Sequence, residues 1–166
     1  MGPTTLTVWI YDSAMGAAAG EVRLRDLVGR QALTVHDAVT VTWVPGAHEP
    51  RVGHLRHKTT AAATKGSLLG ALVGALVLAP AAGAAAGAGI AALAQRVSGT
   101  GIDQSFLEDV KANLGPGTSA LLVLSSDADL DTVRPFVERG LSRGDVKLLH
   151  ARLPDDAPQA LRDLLS

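Results

Sequence analysis

At 166 residues, with 15 Lys and Arg against 16 Asp and Glu and no cysteine, the chain is sized for one domain. It has neither the basic excess of a nucleic-acid binder nor the thiols of a disulfide scaffold or thiolate metal site, so neither class is expected. Its apolar fraction is 47% with only 3% aromatics, because Ala and Gly inflate the count and concentrate in one central window.

Leu6, Val8 and Ile10 alternate with Thr5, Thr7, Trp9 and Tyr11, a period of two that predicts the first strand. Residues 13–30 place Ala18, Ala19, Val22, Leu27 and Val28 at helical spacing, with Ser13 as the candidate cap, and alternation resumes over 34–44. Pro45-Gly46 ends the second strand, leaving 45–60 as a polar, His-containing connector.

Residues 66–95, GSLLGALVGALVLAPAAGAAAGAGIAALAQ, carry no charge. Gly66, Gly70 and Gly74 stand four apart, and Gly83, Gly87 and Ala91 repeat the interval. Gly in a helix costs about 1 kcal/mol relative to Ala, so repeated small residues at this spacing imply close helix-to-helix contact, a glycine zipper. Pro80 divides the window into pieces of 14 and 15 residues. As helices these rise about 21 to 23 Å, short of a bilayer core of about 30 Å, so a helical hairpin packed on itself and on copies of itself is favoured over two spanning helices.

Beyond the window, Asp103 is positioned to cap a helix, with Ile102 able to pack on Leu107. Gly115-Pro116-Gly117 stops that helix, and the run ALLVL within 118–125 predicts a strand buried on both faces. Residues 127–140 are predicted helical despite Pro135, followed by a strand over 146–153 and a short helix after Asp155.

The order β-α-β, apolar insert, α-β-α-β-α predicts an α+β fold: a ferredoxin-like β-α-β repeat with a mixed or antiparallel four-stranded sheet, helices on one face, and an inserted glycine-zipper hairpin. Residues 1–60 form the first half and a basic connector, 61–98 the hairpin, and 99–166 the second half of the same domain. Gly16 and Gly20 follow the first strand but lack the G-x-G-x-x-G spacing, which disfavours a doubly wound nucleotide-binding sheet.

The blocks TLTVWIYD, LTVHDAVTVTWVPG, the Gly/Ala window and GIDQSFLEDVKANLGPGTSALLVL together resemble a bacterial family of uncharacterised proteins, domain of unknown function 1269, over residues 4–135. The resemblance implies a small bacterial protein of a kind often labelled membrane-associated for its central segment. It brings no catalytic residue and no activity.

Candidate chemistry is thin. His54 and His57, with His48 upstream, have metal-ligand spacing, but only Glu49 could complete a set and nearby cations oppose a divalent ion, so no metal is assigned. The cations Arg51, Arg56, Lys58 and Lys65 suit anionic lipid headgroups instead. His36 and Asp37 are adjacent in a strand and point to opposite faces, which disfavours a shared general-base site. Ser125, Ser126, Asp127, Asp129 and Asp131 form an acidic loop at a strand end, for which helix capping is favoured over a bound cation. Trp9 and Trp43 are assigned to packing or to an exposed sheet surface.

The expected function is therefore structural: a non-enzymatic homo-oligomer assembling through Gly66, Gly70, Gly74, Gly83, Gly87 and Ala91, membrane-associated or a closed soluble assembly, with no cofactor. The alternative is a module that binds a lipid, an apolar ligand or a partner protein. MGPTTLTVWIYD shows no basic stretch followed by an apolar one, so the expected location is the cytoplasm or its membrane face rather than the exterior.

Overall fold

The computed structural model describes residues 4–48, 50–54, 68–73, 76, 90, 91, 93–95, 97, 100–126, 129–142, 144 and 146–153. Along the chain these form β1 (Thr4–Tyr11), α1 (Gly16–Gly29), β2 (Thr34–Thr42), β3 (Arg51–His54), α2 (Leu68–Val73), α3 (Gln104–Asn113), β4 (Ser119–Ser126), α4 (Leu130–Ser142) and β5 (Val146–Leu153). Gly66, Gly74, Gly83, Gly87, Arg56, His57, Lys58, Lys65, Asp127 and the short helix expected after Asp155 lie outside the described residues.

The strands make one sheet in the order β3-β2-β4-β1-β5, every neighbouring pair antiparallel. Because β4 runs antiparallel to both β1 and β2, those two are parallel to each other with β4 between them. By the same logic β4 and β5 are parallel with β1 between them. Central β4 is buried at all eight positions, as its uninterrupted apolar run requires, and its neighbour β1 alternates between the two faces.

Five strands stand where four are predicted. The sequence 51–54 (RVGH) is too short and polar to carry a periodic signal, yet Arg51 to His54 pair with Thr42 to Val39 and extend the sheet beyond β2. The cap of α1 also differs: its N-cap is Met15 without a side-chain bond, while the Ser13 carbonyl accepts from Gly16 N–H and from the Ser119 hydroxyl. Asp103, by contrast, caps α3 as its spacing predicts, its Oδ1 accepting from Phe106 N–H at 2.8 Å.

Helical residues cover both faces of the sheet, whereas the sequence predicts one. On the first face Leu6, Val8, Val39, Val41, Leu122 and Leu124 meet Leu69, Leu72 and Val73 of α2, Leu76, Leu93 and Val97, and Leu107 and Val110 of α3. The physical reason lies in the window itself: its large aliphatic side chains recur at 69, 72, 73 and 76, one stripe of a helix, and the strand face offers them burial within the same chain. On the second face Tyr11, Ala38, Leu121 and Val123 pack with Ala17 and Leu24 of α1.

A bulge between Val35 and Asp37 changes the register of β2 on β4. It leaves Val35 and Ala38 on the second face and puts Asp37 on the first, where its Oδ2 accepts from the Leu69 N–H at 2.8 Å and its Oδ1 from Ala38 N–H at 2.9 Å. One carboxylate thus ties the first turn of α2 to the sheet.

Candidate functional site

Across the second face α1 and α4 lie over the sheet and leave a half-enclosed cleft of about 290 Å³ between them. Its floor is Trp9, Leu121, Val123 and Leu148 from three strands, and its walls are Leu24 and Leu27 of α1 with Val133, Phe136 and Val137 of α4. Thr5, Thr7, Ser125, Ser126 and His150 supply hydroxyl and imidazole groups along the strands, and Arg23 supplies a guanidinium. A smaller hollow of about 120 Å³ shares Trp9, Tyr11, Arg23 and Gly140 with it.

The sequence builds this cleft through small residues. A Cβ on Gly16 or Gly20 would collide with the Tyr11 side chain, so the GAAAG stretch that follows β1 serves to seat α1 on that ring. At the opposite wall, Gly140 faces Trp9, with Trp9 Cζ3 3.3 Å from where a Cβ would stand. Leu24 and Leu27 on α1, and Val133, Phe136, Val137 and Gly140 on α4, then present apolar stripes to each other across the cleft.

Arg30 and Arg139 flank Phe136, their guanidinium carbons 5.8 and 4.8 Å from the ring centroid. Arg30 reaches across from α1, so this stack links the two helices at the α4 wall. Arg30 also pairs with Asp26 at 3.1 Å, and Arg139 Nε donates to the Pro135 carbonyl.

Of the residues singled out by sequence, Trp9, Ser125 and Ser126 line the cleft, and the other described ones fall elsewhere. Gly70 is in α2 and Ala91 is helical and half-buried. Arg51 is exposed in β3 and His54 is in the same strand, while His48 is exposed in the preceding turn. His36 and Asp37 do not share a site: His36 Nε2 lies 2.8 Å from the Ser126 hydroxyl, and Asp37 turns to α2. In the acidic loop, Asp129 accepts from Asp131 N–H and from the Thr132 hydroxyl, the capping arrangement expected of it. Trp43 donates its indole N–H to the Ala47 carbonyl, whereas Trp9 is part of the cleft floor. Among the described residues no group of three or more His, Asp or Glu is placed to hold a metal ion, and no helix is long and apolar enough to cross a membrane.

Sequence reasoning missed the cleft. Its signal is the spacing 133, 136, 137, 140 in α4, which marks one helix stripe but says nothing about what lies opposite.

A family model described as protein of unknown function (DUF1269) matches residues 63–166. That span holds the apolar window, α3, β4, α4 and β5, so the blocks TLTVWIYD and LTVHDAVTVTWVPG stand before it. No curated protein and no solved structure matches the chain.

Proposed function

The chain belongs to the DUF1269 family, and from that premise we propose that it is a binding module whose cleft between α1 and α4 takes a compact apolar ligand. The observation that carries this is the cleft itself: about 290 Å³, walled by aliphatic and aromatic side chains, with a few hydroxyls at fixed positions. Small-molecule sites have this character, and about 300 Å³ is the lower end of their usual range. The fold that holds it is ferredoxin-like: without β3 the strand order is β2-β4-β1-β5, and α1 and α4 each join a parallel pair separated by one strand.

The chain's two tryptophans make the test direct. With Trp43→Phe as background, Trp9 reports from the cleft floor, and 1-octanol is expected to change its emission saturably. Thr7→Phe in that background puts a ring into the cleft from a strand position that tolerates aromatics. It is expected to weaken octanol binding by about tenfold or more, a loss of about 1.4 kcal/mol. An emission that never saturates, or an affinity untouched by Thr7→Phe, counts against the reading.

A second reading is self-assembly through the central window, supported by the four-residue spacing of Gly66, Gly70, Gly74, Gly83, Gly87 and Ala91. Leu69, Leu72, Val73 and Leu76 are buried within one chain. Arg51, Arg56, Lys58 and Lys65 would stand beside anionic lipid in the membrane-associated form. Native mass of the full chain decides it: a defined multimer supports assembly, and a monomer with and without detergent opposes it.

A further inference from the structure

The charge distribution on α1 narrows the ligand class, on the premise that the cleft binds a small molecule. This helix carries Arg23 and Arg25, and Arg30 is its C-cap; the three have different surroundings. Arg25 and Arg30 make i,i+4 ion pairs with Glu21 at 3.6 Å and Asp26 at 3.1 Å. Arg23 is half-buried, lines both the cleft and its adjoining hollow, and has no ion-pair partner among the described residues. Among the described residues no Asp or Glu lines the cleft, and its other ionisable groups are Tyr11 and His150.

Arg23, half-buried beside Trp9 and Leu24 and without a carboxylate partner among the described residues, forgoes part of its hydration. A ligand anion would restore it, because guanidinium matches a carboxylate through two parallel N–H···O bonds. Arg139 at the Phe136 wall adds positive charge on the same side of the sheet, whereas that of Arg30 is offset by Asp26. Charge and shape therefore select one chemistry, a negatively charged head on an apolar body.

We propose that the cleft binds a small carboxylate amphiphile, its carboxylate held by Arg23 and its chain or ring lying over Trp9 between Leu24 and Val137. The hydroxyls of Thr5, Thr7, Ser125 and Ser126 line the distal strand ends and tolerate a polar substituent on that body. Arg23 is the residue that sets specificity; the apolar walls supply affinity.

The experiment uses the full chain with Trp43→Phe and compares octanoate, 1-octanol and octylammonium by Trp9 emission. A ring or a chain can supply the body, and 3-phenylpropanoate titrated beside octanoate separates the two. At least one carboxylate is expected to bind about tenfold tighter than the alcohol, a difference of about 1.4 kcal/mol, with octylammonium weakest. Arg23→Gln is expected to abolish that preference, whereas Arg25→Gln, which removes the same charge from the solvent side, keeps it. Octanol binding as tightly as both carboxylates, or a preference that survives Arg23→Gln, overturns the inference while leaving the apolar cleft intact. Absence of binding by all four compounds overturns both.

Discussion

Gly101→Ala is expected to lower stability by about 3 kcal/mol and the melting temperature by roughly 10 °C. Two effects combine at this position. Gly101 has φ +95°, a conformation that costs a residue with a Cβ about 1–3 kcal/mol. The added Cβ would also collide with the Arg152 carbonyl oxygen and approach the Leu153 Cδ2 to 2.8 Å and its Cα to 3.2 Å. Those atoms belong to β5, so relief requires moving a strand that is paired along its whole length with β1. Gly144 separates the two effects, since it has φ +75° with nothing within 4 Å of its Cβ position. Gly144→Ala is expected to cost the strain alone, about 1–2 kcal/mol. Equal effects at the two positions, by thermal and urea denaturation, would show that the close approach of Gly101 to β5 has no energetic weight.

Leu69→Ala carries the other large effect, an expected loss of about 3–4 kcal/mol. Leu69 is 0% exposed on the first face of the sheet, packed in the cluster with Val39, Val41 and Leu124. Truncation removes its transfer free energy and leaves a cavity that β-sheet backbone on one side cannot close. The helix is held there from its first turn, where the Leu69 N–H donates to Asp37. Since this burial is provided within one chain, the loss is expected to be independent of protein concentration. A loss below about 1 kcal/mol, together with melting that rises with concentration, would instead place Leu69 in a subunit interface.

Much of the sheet was legible because its strands carry strong local patterns. β1 alternates apolar and polar residues, β4 is a continuous apolar run at the sheet centre, and β5 has the predicted bounds 146–153. The cap at Asp103 was equally legible, since one side chain and the backbone three residues on settle it. β3 was not legible, because four residues including Gly53 become a strand only through pairing with β2. Nor was the bulge at Val35 and Asp37, which depends on the register chosen by β4.

The central window shows a different limit. Its glycine spacing drew attention to contacts between small residues, while the aliphatic stripe at 69, 72, 73 and 76 determines where the described part of the window packs. Both patterns coexist in one sequence, and only the strand face opposite decides which is buried first. The GAAAG stretch after β1 carried a similar ambiguity: rejected as a phosphate loop, it is the seat of the Tyr11 ring. The cleft was invisible for a topological reason, because α1 and α4 lie about a hundred residues apart and meet only when β4 and β1 are neighbours.

That cleft is the core of the account, and methyl resonances locate a bound ligand residue by residue. Titrating the full chain with 1-octanol is expected to shift the methyls of Leu24, Leu121, Val123 and Val137 saturably, while those of Val39, Leu69, Leu72 and Leu124 on the other face stay in place. Shifts confined to the second set, or no saturable shift in either, would contradict a ligand site between α1 and α4.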